Sequence, residues 1–461
     1  MSDLHQPLTG IAGIIGPDAG KIASKLDLIL HAMKNRGSLI QSMAIYGEHA
    51  SIALGSCSHQ LEQSSKVDVQ RTSFALDGTL PATLELEEIG GEAGQEAFSE
   101  TIREPGEFSL LAISRGRLLA GRDILGLKPL YYGRDWQGAL AFASTKAGLY
   151  RIGIRNPRAV APGQLVAASN KQVTVLARES LASSPELKVT EDDAAAIVGQ
   201  LLLESLAENP PEDYATAFSG GLDSTLVAYA AKENGLRPEL ITVGLKGQPE
   251  LEHARRVAKE LGLGITVREL SQTDIIDRLR EVVETVESTD STLVGHSVPL
   301  FFVCEVAEEM GMRHLLVGQL SDELFAGYGR FEELAVKHHF LEAKKEVLRS
   351  VLAAATNDFE PGDKLAVSHR LDLQCPFAYL PLVDYALSIP ISLKLRLIGS
   401  SVVRKYILRR LAASWRLPES VVNRPKKAVQ YSTGVQKVLL KEAKRRKMKL
   451  TELLESLRSN S

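Results

Sequence analysis

With 461 residues, 44% hydrophobic and 24% charged, the chain has the make-up of an ordinary globular protein and enough material for two or three cores. A net charge of −3 gives no case for nucleic acid or membrane as the main partner. Three widely spaced cysteines, Cys57, Cys304 and Cys375, make no disulfide frame, and no apolar run reaches transmembrane length. The N-terminus also lacks the basic-then-apolar order of a signal peptide, so the expected compartment is the cytoplasm.

Thr9 to Gly16 (TGIAGIIG) predicts a short apolar strand, and a helix is expected from about Ala19 to Lys34. The alternating segments SIALGS, SFALDG, EFSLLAISRGRLLAGRD, LKPLYYG and ALAFAS follow, separated by glycine-bearing turns. Strands so spaced imply packed antiparallel sheets, which makes residues 1–170 a β-rich domain. The polar stretch between about Val166 and Thr190 reads as a linker. From Asp192 helices and strands alternate, with strands expected at Tyr214 to Phe218, Glu239 to Leu245, the segment ITVREL and His314 to Leu320. That alternation predicts, over residues 190–461, a parallel doubly wound sheet whose ligands bind beyond the carboxyl ends of its strands. The part after about Phe331 is mostly helical and closes on a basic helix, Lys437 to Lys449, that reads as a solvated face.

The stretch Ser219-Gly220-Gly221-Leu222-Asp223-Ser224 lies between the first strand of this second domain and a helix expected from Ser224. Gly220 and Gly221 let backbone N–H groups approach an anion, Ser219 and Ser224 add hydroxyl donors, and the helix N-terminus adds its positive end. Asp223 would repel a triphosphate unless a divalent cation lay between them, so it reads as a Mg²⁺ ligand. The lysine-bearing P-loop pattern is absent. Gly318-Gln319-Leu320-Ser321-Asp322-Glu323 closes a later strand with two adjacent carboxylates, a costly arrangement unless a cation matches it, and Asp322 is the expected second Mg²⁺ ligand. Val243-Gly244 and Gly318-Gln319 are placed at strand ends beside the loop.

The loop resembles that of the N-type ATP pyrophosphatases, which cleave ATP between the α- and β-phosphates to adenylate a substrate. The run from Gly318 to Tyr328 resembles a motif of the asparagine synthetase C-terminal domain, also seen in β-lactam synthetases. Amide-forming members carry glutamate after the first glycine and lactam-forming members tyrosine; here the residue is Gln319, which hydrogen-bonds but is no base at neutral pH. Leu371 to Pro390 is similar to a third family segment, with Gln374 replacing an arginine and Tyr379 an aspartate. Asn423 to Gly434 looks like the segment whose lysine reaches the phosphates, and the match falls on Lys426. In the first domain Ile11 to Gly16, Asn35-Arg36-Gly37, Gly121 to Gly133, Leu140 to Thr145 and Ala161 to Leu165 resemble the class II, N-terminal-nucleophile glutaminase domain of the same family. There the nucleophile is a cysteine at the chain start. Here Thr9 holds that place behind other residues, Ser58 falls where a glutamine-holding arginine is expected, and Asp77 replaces an asparagine, so the domain is expected to be a scaffold that hydrolyses no glutamine. An aspartate at this position would also repel the α-carboxylate of glutamine.

The expected architecture is α/β with two domains: an antiparallel Ntn-hydrolase-like sandwich, then a parallel doubly wound ATP pyrophosphatase domain with a helical extension. The resemblance implies an AMP-forming carbon–nitrogen ligase using ATP and Mg²⁺. It would adenylate a carboxylate, aspartate by resemblance, and form an amide with ammonia; a homodimer is compatible with it. Asp223 and Asp322 would hold the metal, Ser219, Gly220, Gly221, Ser224, Val243, Gly244 and Gly318 the nucleotide, and Lys426, Gln319 and Asp322 would act in catalysis. A synthetase for another carboxylate, including one closing a lactam, is the first rival, favoured by Gln319 and Gln374. A non-catalytic nucleotide-binding protein is the second.

Overall fold

The computed structural model describes residues 5–6, 9–46, 51–59, 73–80, 102–114, 116–182, 185–207, 213–399, 401–425 and 433–458. They divide into two compact units that meet in sequence between Ser180 and Leu181.

The first unit is built on two six-stranded sheets, antiparallel throughout. The strand Thr9–Gly16 lies inside one of them, between Ser51–Ser58 and Leu140–Ala143. Side chains alternate across a strand, so Ile11 and Ile15 enter the layer between the sheets with Leu54, Leu111, Leu118 and Phe142. Ala12 and Ile14 take the opposite face, against Ile22, Leu26, Ile29 and Leu30 of the helix Ala19–Ala32. Burial on both faces is why this strand carries no polar alternation. The linker expected from Val166 begins later. Gln164–Ala168 and Val173–Arg178 complete the other sheet, and the edge strand Val173–Arg178 looks polar because most of its side chains are half or fully exposed.

The second unit carries a five-stranded sheet in the order Ile265–Leu270, Glu239–Leu245, Tyr214–Ala217, His314–Leu316, Asp372–Gln374, parallel at every pairing. Helices such as Gln272–Val286, Ser291–Glu309 and Glu360–Ser368 cover it, with Phe301, Val298, Leu279 and Leu365 fully buried among them. Tyr214–Ala217, first in sequence, sits at the centre. The chain extends the sheet on one side through Glu239–Leu245 and on the other through His314–Leu316, so a crevice opens at the carboxyl ends where the order reverses. Ser219 to Ser224 and Gln319 to Asp322 follow two neighbouring strands at that crevice.

Away from it, Lys394 at the end of the helix Ile391–Lys394 is 2% exposed. Burial, reinforced by the charge of Lys344, lowers its amine from 10.5 to about 7. The unfolded chain therefore binds the proton more tightly than the fold does. The cost of charging this amine is fully present below about pH 7 and vanishes as the pH rises to the unfolded value. Lys394→Met should accordingly be more stable than the parent near pH 6, by on the order of 4 kcal/mol, with the gap closing by pH 10.5. Urea titrations of both proteins at several pH values read this directly, and a gap independent of pH would refute it.

Candidate active site

The phosphate-loop residues sit where the helix Leu222–Glu233 begins, two residues earlier than the sequence suggests. Gly221 is its N-cap in an extended conformation and offers no side-chain cap, so the first-turn N–H groups are left for an anion. Gly220 has φ +64, and a Cβ there would lie 2.9 Å from the His253 ring and 3.2 Å from the Ala254 backbone. The serines shape the loop as much as they line it. Ser224 Oγ accepts from Ser219 N at 3.2 Å, and Ser219 Oγ accepts from Gly221 N at 3.2 Å. Phe218 N donates to Ile241 O, anchoring the loop against the strand that carries Val243 and Gly244.

His253 is a member of this site that the sequence did not flag. Its Nε2 lies 2.8 Å from Gly220 O and its Nδ1 lies 3.0 Å from Arg256 Nη2. A guanidinium only donates, so Nδ1 accepts and Nε2–H donates to the loop carbonyl.

Asp223, in the first turn of the helix, and Asp322, in the short helix Ser321–Leu324, converge from adjacent strands. Gly318 makes the approach feasible, since a Cβ there would sit 3.0 Å from Asp223 Cβ and 3.3 Å from Ser224 N. Between the carboxylates the structure places Lys405, 3% exposed, which no sequence motif identified. Its Nζ is 2.6 Å from Asp223 Oδ1 and 2.7 Å from Asp322 Oδ1, and Ser321 Oγ donates to Asp223 Oδ1 at 2.8 Å. Two carboxylates against one ammonium leave a net negative charge, and two oxygen ligands that share a cation with phosphate and water are what Mg²⁺ prefers. Among the described residues no group of three acidic, histidine or cysteine side chains forms a protein-only cage, so a cation held here would draw its remaining ligands from nucleotide and water. Glu323, next in sequence, is buried and hydrogen-bonded to the Tyr328 hydroxyl. Burial, and then the Asp322 charge, pushes its carboxyl upward, and burial likewise raises the Tyr328 hydroxyl.

Gln319 is half-buried one residue beyond Gly318, its amide held by groups distant in sequence. Nε2 donates to Asp358 O at 3.4 Å, Oε1 lies 3.6 Å from Cys375 Sγ, and a Cβ on Gly362 would come within 3.3 Å of both amide atoms. Asp358 belongs to a π-helical turn, Ala355–Phe359, a feature that often marks functional positions. Gln374, which stands with Gln319 as a reason to expect another carboxylate, donates to Asp372 Oδ2 at 3.2 Å and hydrogen-bonds with Tyr214. Strand alternation explains this: Asp372 and Gln374 share a face, and Cys375 is the neighbour that reaches Gln319.

Lys426 lies outside the described residues. The residues on either side are fixed near the crevice: Arg409 Nη2 donates to Arg424 O at 2.9 Å, and Leu245 N donates to Thr433 O at 3.0 Å.

In the first unit Thr9 is fully buried and pairs with Ser58. Ahead of it, His5–Gln6 form a strand against Gly78 and Thr79. Arg36 Nε donates to Thr9 O at 2.8 Å, and Arg36 Nη2 meets Asp77 Oδ2 at 2.7 Å, both side chains buried. Asp77 is thus fully buried and matched by an internal arginine, whereas the expectation was of a charge open to an incoming α-carboxylate. Cys57 is fully buried and its thiol is pushed up to about 12 by that burial. The purified protein should release no glutamate from glutamine and should keep residues before Thr9 by intact mass. Asp77→Asn should restore no hydrolysis but should cost about 3–5 kcal/mol of stability by stranding the buried Arg36. Glutamate release that vanishes in Thr9→Ala would contradict this.

The chain thus carries an antiparallel two-sheet unit followed by a parallel doubly wound α/β unit, whose Ser219–Ser224 turn holds no lysine. The asparagine synthase model matches residues 209–355 and 341–457, more than half of the chain, and a glutamine amidotransferase domain model matches residues 59–151. The chain belongs to the asparagine synthase family, whose members are ATP-using carbon–nitrogen ligases. It is 27% identical over 402 residues to a provisionally named asparagine synthetase 1 (glutamine-hydrolyzing) of Methanocaldococcus jannaschii, covering 76% of this chain and 73% of that protein. It is 27% identical over 360 residues to asparagine synthetase B (glutamine-hydrolyzing) of Escherichia coli K12, covering 75% of this chain and 63% of that one. Among solved structures, the glutamine phosphoribosylpyrophosphate amidotransferase of B. subtilis aligns at a TM-score of 0.30 and 12% identity, over 67% of this chain and 81% of that one. No helix among the described residues is long and apolar enough to cross a membrane.

Proposed function

We propose that the second unit adenylates a carboxylic acid, aspartate in the simplest case, and passes the acyl group to ammonia, giving asparagine, AMP and pyrophosphate. The observation that carries the reading is the uncapped N-terminus of Leu222–Glu233, with Gly220 and Gly221 before it and Asp223 and Asp322 beside it at the crevice. A carboxylate oxygen attacks the α-phosphorus, the bond to the pyrophosphate oxygen breaks, and an acyl-adenylate forms. Ammonia then attacks the acyl carbon, AMP leaves and a proton is lost. The loop N–H groups and Ser219 bind and orient the phosphates, His253 keeps the Gly220 carbonyl turned away from them, and Lys426 neutralises charge on the departing pyrophosphate. Asp223 and Asp322 would hold Mg²⁺, which when bound screens the phosphate charge and polarises the α-phosphorus.

A different acyl substrate is favoured by one observation: the Gln319 amide, clamped by Asp358 O, Cys375 and Gly362, offers a neutral hydrogen-bonding wall. Hydroxylamine captures an activated acyl group as a hydroxamate, so a screen of carboxylic acids with ATP, Mg²⁺ and hydroxylamine tests both versions. Aspartyl hydroxamate supports the first and another hydroxamate the second. None from any acid, with ATP still bound, would point to a nucleotide-binding protein without synthetase activity.

A further inference from the structure

The fold is shaped around the Lys405 ammonium. Lys405 itself has φ 54, a left-handed conformation that a residue with a Cβ adopts only under constraint, and Leu320 and Ala326 nearby have φ 70 and 56. Gly327 is obligatory for the same contact, because a Cβ there would stand 1.9 Å from Asp322 Oδ1 and 2.3 Å from Lys405 Cε. Arg404 Nη1 fixes Gly327 through its carbonyl at 2.8 Å. Ser321 Oγ completes the arrangement, donating to Asp223 and accepting from Lys405 at 3.2 Å. Among the other charges bearing on the pair are Arg409, whose guanidinium acts on Asp223, and Glu323, next to Asp322 in sequence.

A compact cation already touches the oxygens Asp223 Oδ1 and Asp322 Oδ1 that a divalent ion would use. Two cations cannot share those oxygens at contact distance without strong repulsion, and an ammonium driven off them would keep only the buried Glu323 carboxyl, itself hydrogen-bonded to Tyr328, as a nearby counter-group. A polyphosphate arriving with the metal removes that obstacle by offering the ammonium new partners. We propose that Lys405 is a positioning residue that holds the two aspartates together in place of the metal and so sets the order of binding: the cation enters with the nucleotide and not before it. This rests on the nucleotide-binding reading of the crevice.

Mn²⁺ binding by the full chain, followed by electron paramagnetic resonance, tests it without turnover. The parent protein should bind free Mn²⁺ weakly and about tenfold or more tightly once α,β-methylene-ATP is present. Lys405→Met, and Lys405→Gln as a second variant of similar length, should bind Mn²⁺ without nucleotide about tenfold more tightly than the parent. A lysine with only a structural part would weaken Mn²⁺ binding in both conditions when replaced. Equal Mn²⁺ affinity of the parent with and without the nucleotide analogue overturns the proposal and needs no variant. Variants that match the parent's nucleotide-free affinity overturn it too. Failure of the parent to take up Mn²⁺ even with the analogue overturns the reading of the crevice on which it stands.

Discussion

Asp223→Asn should lower acyl-dependent pyrophosphate release by about 10²-fold or more, the size of loss that follows removal of one preorganised charge contact at a reacting phosphate. The effect is larger than a lost surface charge because Asp223 Oδ1 meets the buried Lys405 ammonium at 2.6 Å and accepts from Ser321 at 2.8 Å. An amide keeps the shape but removes the charge that any cation there needs. Asp322→Asn should act in the same direction, and the double variant should lose less than the sum of the two, since the carboxylates share one cation. Steady-state pyrophosphate release under saturating ATP decides this; full activity of Asp223→Asn would remove the carboxylate pair from the mechanism.

Lys426→Ala should reduce turnover by roughly 10²- to 10³-fold while nucleotide affinity changes much less, because its ammonium would act on charge that develops as pyrophosphate departs. The residues flanking its segment lie in suitable places: Arg424 is held by Arg409, in the helix that follows Lys405, and Thr433 by Leu245 at a strand end of the parallel sheet. Lys427→Ala serves as the register control. A dead Lys427→Ala beside an active Lys426→Ala would move the assignment by one residue.

The parts of this site legible in the sequence are those where chemistry and local structure coincide in a few consecutive residues. Ser219 to Ser224 announce a strand, a turn and a helix start at once, and Glu239 to Leu245 falls on an expected strand because a buried parallel strand is almost continuously apolar, while Ile265 to Leu270, the half-buried edge strand, also falls where a strand is expected. Lys405 could not be found this way. It is separated from Asp223 by 182 positions, follows the hairpin Leu395–Ile398 and Ser401–Arg404, and owes its role to a backbone conformation that residue type does not announce. His253, Asp358 and Cys375 share that difficulty, since each matters only through a partner on another element. Gln374 was singled out by the resemblance as a glutamine in place of an arginine, and its partners Asp372 and Tyr214 could be found only in the structure. In the first unit the threonine at position 9, where the resembling family carries cysteine, is readable in the sequence, whereas the buried Arg36–Asp77 pair needed coordinates.

The central claim, adenylation of a carboxylate, is tested most directly by the fate of an oxygen atom. A substrate labelled with ¹⁸O in its carboxylate should transfer one labelled oxygen to AMP, because the oxygen that attacks the α-phosphorus stays with it when the acyl group leaves. Mass spectrometry of the nucleotide and phosphate products reads the result. Label in AMP, accompanied by unlabelled pyrophosphate, is the outcome expected; label in inorganic phosphate with ADP as the nucleotide product would show an acyl-phosphate route and contradict it.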